Sequence, residues 1–322
     1  MLIRTFAAVC VLFLMTDSHG RAESWPSKPI KLVVPFSAGG SADTLGRVFA
    51  QAVSETLGQQ VFVENRPGAG GAVASTIVAR AEPDGYTLLV SGVASHVIAP
   101  ALNPNIGYDA IKDFAHIAYM GGSPIVWVVH PSLNVRTLAQ LTNFAKKSPA
   151  PLNYGSPGAG TQGHLLAAYM SNKLGLGLQH VPYKGAGPAM FDIVAGHIKL
   201  GSTTWTTALS HIQSGALIPI AVSSEKRLLE APNVPTFKEL GYPEIVATTW
   251  FSISGPRGMP KEIVDKLNRS FVATLDQPAL RDHLKREGIS VTAMTADEFA
   301  KFVEDEIARW GPIVKISGAK AE

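Results

Sequence analysis

"VVPFSAGGSADTLGR", residues 33–47, sets a buried β-branched run directly against a glycine- and serine-rich turn and then a helical pattern. Downstream, apolar residues recur at Leu45, Val48, Phe49, Ala52, Val53 and Leu57, the period of a helix with one buried face. Ile30 to Pro35 reads as a strand, so the unit is strand, turn, helix. Its turn, Ser37-Ala38-Gly39-Gly40-Ser41, exposes backbone amides rather than covering them. The first turn of a helix has N–H groups without intrahelical partners and carries a partial positive charge. A carboxylate or phosphate can settle there with no cationic side chain. Glycine admits the anion to the amides, and serine adds orientable donors. Asp43 falls in the same turn of helix, where it either braces the loop or pairs with an ammonium on a ligand.

The pattern repeats. Val61 to Glu64 is the next strand, Gly71 to Ala81 the next helix, and Tyr86 to Val90 a third strand ahead of Ser91-Gly92-Val93-Ala94-Ser95. Such alternation predicts β-α-β units and a mostly parallel sheet. A second set follows, with helices over Thr137 to Lys147, Gln162 to Leu174, Ala189 to Ala195 and Thr206 to Ser214. Short strands lie between them near Asn153, Val181, Leu200 and Ile220. Extended crossings at Pro124 to His130 on the way out and Ile218 to Ser223 on the way back predict a hinge. The expected division is residues 1–22 as a signal segment, 23–123 and 224–322 as one α/β domain, and 124–223 as the other. A capping box at Thr295-x-x-Glu298 opens the last helix, whose buried stripe is Phe299, Phe302, Val303, Ile307 and Trp310.

The signal assignment rests on an apolar run of ten residues, Phe6 to Met15, followed by Gly20-Arg21-Ala22, with cleavage expected after Ala22. The run is about half the ~20 residues that span a bilayer, so export to the periplasm as a soluble protein is expected. Cys10, the single cysteine, lies in that segment, which leaves the mature chain without thiol chemistry. Removing Arg4, Arg21 and Asp17 from the 28 basic and 25 acidic residues leaves 26 and 24, a net charge of +2. No basic cluster interleaved with aromatics points to nucleic acid. A freely diffusing monomer is expected.

Three further glycine-rich turns match the first: Ser91 to Ser95, Tyr154-Gly155-Ser156-Pro157-Gly158-Ala159-Gly160-Thr161, and Tyr183-Lys184-Gly185-Ala186-Gly187-Pro188. In open α/β sheets such turns collect at the carboxyl ends of the strands, where ligands bind. Each also has a plain structural reading: Thr161 serves as an N-cap, Pro188 as a first-turn helix proline, and Tyr183 and Lys184 as residues of a solvated rim. Enzyme signatures fail. Gly68-Ala69-Gly70-Gly71-Ala72-Val73 places valine where a dinucleotide fingerprint needs its third glycine. Gly155-Ser156-Pro157-Gly158 lacks the spacing of a nucleophile elbow. His96, His116, His130, His164, His180, His197, His211 and His283 include no pair at short metal-ligand spacing. Among them His164 stands out, three residues after Thr161 at a helix start. No catalytic residue, metal or cofactor is expected.

The ordered segments "WPSKPIKLVVPFSAGGSADTLGR", "VFVENRPGAGGAVAS", "PDGYTLL", "NYGSPGAGTQGHLLA", "VPYKGAGPAMFDIVAGHI", "IPIAVSSEKR" and "APNVPTFKELGYP" resemble the Bug family. These are the extracytoplasmic solute receptors of tripartite tricarboxylate transporters, and the resemblance runs from Trp25 to the C-terminal helix. It implies a periplasmic-binding-protein fold, two α/β domains closing over a small organic anion, with membrane transporter subunits as partners. The family's carboxylate-binding turn matches Phe36, Ser37, Ala38, Gly39, Gly40, Ser41 and Asp43. The opposite domain's part matches Ser156, Gly158, Gly160, Thr161 and His164, with Tyr183 and Lys184 nearby, and Ser91 to Ser95 form a third wall. Ala38 stands where many members have glycine, and Ile198 to Ser202 depart from the usual aspartate and phenylalanine. Beyond them Trp205 either stacks an aromatic acid or belongs to the scaffold, and Lys199 either alters the charge at the mouth or does not act. Delivery to a transporter and signalling to a membrane sensor kinase are both compatible with the sequence.

Overall fold

The computed structural model describes residues 25–319; the expected signal segment, with Cys10, lies outside the described residues. The first lobe begins with β1 (Ile30–Val34), α1 (Ser41–Leu57), β2 (Val61–Asn65), α2 (Ala72–Ala79) and β3 (Thr87–Gly92), and β1 pairs in parallel with both β2 and β3. After β3 the chain coils through a wide helical turn at residues 94–98 into the short α3 (Ala99–Leu102). The core follows the predicted stripe: Leu45, Phe49 and Val53 of α1 pack on Ile30, Leu32 and Val34.

The two lobes share one strand. β4 (Phe114–Val129) runs 16 residues, interrupted by register shifts between His116 and Ala118 and between Tyr119 and Gly121. Its second part enters the other lobe, built from α4 (Leu138–Lys147), β5 (Asn153–Ser156), α5 (Gln162–Leu174), β6 (Gln179–Pro182), α6 (Ala186–Val194), β7 (Leu200–Thr204), α7 (Trp205–Gln213) and β8 (Ile218–Val222). There β5 pairs in parallel with β6 and β7, while β7 and β8 flank β4 antiparallel. The chain returns through β9 (Thr248–Pro256), antiparallel to both β4 and β3, and ends in α8 (Lys261–Thr274), α9 (Pro278–Arg286) and α10 (Ala296–Ile316).

The path back therefore differs from the expected one. Ile218–Val222 pairs with Val126–Val129 inside the second lobe, and Phe237 and Ile245 pack there with Trp127, Tyr154 and Leu200. The returning strand is β9, and the sheet is parallel only in its outer parts. The capping box forms as expected: Glu298 N–H donates to Thr295 Oγ1 at 3.2 Å, and Thr295 N–H donates to Glu298 Oε2 at 2.8 Å. The buried Glu306 of α10 accepts the indole N–H groups of Trp250 (2.8 Å) and Trp310 (3.0 Å), fixing the helix to the crossing strand. Its far end accepts Asn172 Nδ2 of α5 at Ser317 O, so α10 touches both lobes.

Candidate ligand-binding cleft

The turn between β1 and α1 faces the second lobe. Gly40 is the N-cap, extended at φ −102° and ψ 170°, with no side chain of its own to cap the helix. The turn's amides are not all open. Ser37 N–H donates to Lys184 O across the lobes at 2.8 Å, and Ser41 N–H donates to Thr207 Oγ1 of α7 at 3.3 Å. Gly39 N–H donates to Asp43 Oδ2 at 3.2 Å. Asp43 also takes Arg47 Nε at 3.1 Å and Asn65 Nδ2 at 2.9 Å, and Asn65 reaches on to Phe36 O. Burial pushes the Asp43 carboxyl up, but the hydrogen bonds from Arg47, Asn65 and Gly39 together outweigh it and hold the pKa below the usual value. Asp43 thus braces the turn from behind.

Ser41 Oγ lies 2.5 Å from Thr204 Oγ1 and 2.9 Å from Thr207 Oγ1, and the two threonine hydroxyls are 2.8 Å apart. These three hydroxyls join α1 to the β7–α7 corner across the cleft. Alongside, the 184–187 turn meets residues 37–40 backbone to backbone. A Cβ on Gly187 would lie 2.2 Å from Ala38 O, and one on Gly40 would lie 3.1 Å from Ala186 Cβ. The Tyr183–Pro188 turn is accordingly a contact surface between lobes, with Tyr183 OH donating to Asp192 Oδ2 at 2.5 Å. Lys184 is exposed at its edge.

On the second lobe, Thr161 caps α5 through its hydroxyl, which accepts His164 N–H at 3.4 Å and donates to Gly158 O at 2.7 Å. Ser156 Oγ accepts Gly158 N–H at 3.2 Å and sits 2.7 Å from His180 Nε2, so this serine shapes the turn. His164 is buried. Its Nδ1 accepts Gly160 N–H at 3.3 Å, and its ring stacks on that of His180 at 4.1 Å and 7°. Burial lowers the His164 pKa to about 4; burial, then the nearby His164, lowers that of His180 to about 3. Both rings support the turn as neutral aromatic and hydrogen-bonding groups.

Between the lobes lies a cavity. Its walls are the α1 start (Gly40, Ser41, Ala42), the third wall from Ser91 to Ser95, the α5 start (Thr161, Gln162, Gly163), and Thr204, Thr249 and Trp250. Two helix N-termini open onto it, and among the described residues no Lys, Arg, His, Asp or Glu lines it. Within the third wall, Ser91 Oγ is engaged by Ser252 and Ser254 at 2.8 and 2.7 Å, and Ser95 Oγ donates to Gly92 O at 3.3 Å. Phe36 and Pro157 stand between this cavity and an outer one, which Gly158, Gly160, Tyr183 and Lys184 line together with Gly68–Gly70 and Asn103.

The predicted residues thus fall into three groups. Phe36, Gly40, Ser41, Ser91, Ser95 and Thr161 line the inner cavity, and Gly158, Gly160, Tyr183 and Lys184 the outer one, with Phe36 in both. Ser37, Ala38, Gly39, Asp43, Ser156 and His164 line neither and support the turns. Of the two readings of Trp205 the structure takes the scaffold one: it is 1% exposed and packed with Val126, Val128 and Val222 in the second lobe's core. Exposed Lys199 lines neither cavity. Gln162, Thr204, Thr207 and Thr249 went unread, because single hydroxyl or amide residues beside a cap carry no pattern.

The profile of the "Tripartite tricarboxylate transporter family receptor" family matches residues 45–319. The chain belongs to this receptor family. Protein BugT of Bordetella pertussis is 36% identical over 300 residues, covering 93% of this chain and 92% of BugT. Among solved structures, R. palustris Rpa4515 with adipate aligns at a TM-score of 0.88 and 32% identity, covering 92% of this chain and 99% of that one. MatC from Rhodopseudomonas palustris with bound malate aligns at 0.86 and 31%, covering 90% and 100%. The family is one of periplasmic solute-binding receptors rather than enzymes, and the two-lobed α/β fold is that of its solved members.

Proposed function

We propose that this receptor captures a small organic carboxylate in the inner cavity and presents it, closed between the lobes, to the membrane subunits of a tripartite tricarboxylate-type transporter. The observation that carries the reading is the convergence of two helix N-termini, at Gly40–Ala42 and Thr161–Gly163, on an interlobe cavity whose polar side chains are uncharged. Such a site neutralises a carboxylate with peptide dipoles and hydroxyls, and keeps it releasable because no full counter-charge must be broken on exit. Adipate and malate in the related structures support the ligand class. Export with loss of residues 1–22 places the mature chain in the periplasm, and it acts as a monomer.

Ligand binding to the closed state alone shifts the lobe equilibrium toward closure. Ligand-stripped protein should show a melting temperature that rises with concentration for at least one of succinate, malate, glutarate and adipate. No rise with any of them, matched by silence in calorimetry, refutes the reading.

A further inference from the structure

The two interlobe cavities differ in what encloses them. The inner one lies against the strands that link the lobes, with Ile125 of β4 and Thr249, Trp250 and Phe251 of β9 in its wall. No residue of either strand, or of α10, lines the outer one. Turns of both lobes wall it instead, and these touch main chain to main chain. A Cβ on Gly70 would lie 2.5 Å from Ala159 O, and one on Gly160 would lie 3.5 Å from Ala99 Cα. Lobes joined along β4 and β9 part most where those strands are absent, so the outer cavity lies on the side where the closed cleft opens.

Among the described residues, Lys184 is the one charged side chain on the wall of either cavity. Its main-chain oxygen is fixed by Ser37 N–H of the opposite lobe, while its side chain is exposed. The acids of the adjoining helix starts have partners of their own: Asp43 holds Arg47 and Asn65, and Asp192 holds Tyr183 OH and His197.

We propose that the outer cavity is the vestibule through which the carboxylate enters and leaves, and that the Lys184 ammonium draws it in, setting the rate of capture rather than the grip. This rests on the carboxylate-receptor reading above and adds an entry route to it. The helix termini of the inner cavity act at short range, because a helix dipole falls off within its first turn. A full charge at the rim reaches further, over a Debye length of about 8–10 Å at physiological salt. Being exposed, it is not desolvated when the ligand arrives and leaves no ion pair to break when the ligand departs. Such rim charges change the association rate and its salt dependence more than the lifetime of the complex.

The test is stopped-flow tryptophan fluorescence, Trp250 standing on the inner wall, with calorimetry for Kd. It uses the mature protein and whichever of succinate, malate, glutarate and adipate wild type binds most tightly. At about 20 mM salt, Lys184→Glu should lower kon about 3- to 10-fold and raise Kd by the same factor, with koff within about twofold, and the difference should fade at about 0.5 M salt. Lys199→Glu makes the same change of charge at an exposed position that lines neither cavity, and should shift kon by less than about twofold. Asn103→Trp puts a bulky ring in the vestibule and should slow kon and koff together, by about threefold or more, with Kd altered less than either rate. The inference is overturned, and the receptor reading stands, if Lys184→Glu captures the carboxylate as fast as wild type at low salt. Affinity lost through koff and equally at both salts, capture slowed as much by Lys199→Glu, or both rates unmoved in Asn103→Trp overturns it in the same way. Wild type binding none of the four acids by calorimetry overturns the receptor reading itself.

Discussion

Replacing Gly187 by alanine tests whether the lobes close through backbone contact. Gly187 lies in the first turn of α6, and its added Cβ would sit 2.2 Å from Ala38 O, 3.3 Å from Ala38 C and 3.4 Å from Gly39 C. All three are main-chain atoms of the opposite lobe, so no side chain can rotate away. Relief needs the lobes to stand apart by about 1 Å, since non-bonded heavy atoms settle near 3.5 Å. That displacement carries Ser37 N and Lys184 O, now 2.8 Å apart, and Ser41 N and Thr207 Oγ1, now 3.3 Å apart, beyond hydrogen-bonding range. At about 0.5–1.5 kcal/mol each, with the cavity wall displaced as well, the closed state loses about 2–3 kcal/mol, or about 30- to 150-fold in Kd. Folding is not threatened, because alanine is the better helix former by about 1 kcal/mol. Calorimetry should show the weakened affinity, and small-angle scattering should show a ligand-saturated wild type more compact than Gly187→Ala under the same conditions. A variant that compacts and binds like wild type refutes closure by glycine-to-backbone contact.

Thr207→Val removes the acceptor of Ser41 N–H and one hydroxyl of the interlobe trio; affinity should fall about 5- to 30-fold with thermal stability nearly unchanged. Unaltered affinity would show that the trio does not hold the lobes. Asp43→Ala strands Gly39 N–H, Asn65 and Arg47 and should cost about 2–3 kcal/mol in chemical unfolding while a 1:1 ligand stoichiometry survives. Complete loss of binding by a stably folded Asp43→Ala would instead place its carboxylate on the ligand. Acid should weaken the fold through His164: the unfolded chain takes its proton near pH 6.5, the folded one only near 4, so the unfolded state binds more protons between them. Stability then falls by about 1.4 kcal/mol per pH unit as pH drops through that window, and His116, also lowered by burial to about 4, adds to the slope. Urea titrations from pH 7 to 4.5 should show the decline, shallower in His164→Asn; a flat profile contradicts the neutral, stacked histidine.

Local grammar made much of the structure legible. The β-branched run from Ile30, the amide-exposing turn after Pro35 and the stripe from Leu45 to Leu57 read directly as β1, its turn and α1, and Thr295 with Glu298 marked the start of α10. The crossing strands were less readable. β4 carries Gly121, Gly122 and Pro124 in its middle, residues that read as a break, yet the strand runs on because β9 supplies non-local pairing at Gly121, Gly122, Ser123 and Pro124. The turn-borne glycines were found, but their division of labour was not: Gly40 borders the cavity whereas Gly187 meets the other lobe's backbone, and sequence shows the same residue type for both. Trp205 follows β7 in a position where a ligand stacker and a core residue look alike, and only the packing of Val126 and Val222 around it decides.

A crystal structure of the mature protein with the carboxylate that most raises its melting temperature bears most directly on how the anion is held. Ligand oxygens should lie within about 3 Å of main-chain N–H groups at Gly40–Ala42 and Thr161–Gly163, between lobes joined as they are at Ser37–Lys184. A carboxylate paired instead with a lysine or arginine side chain, or seated only in the outer cavity beyond Phe36 and Pro157, would contradict capture by peptide dipoles.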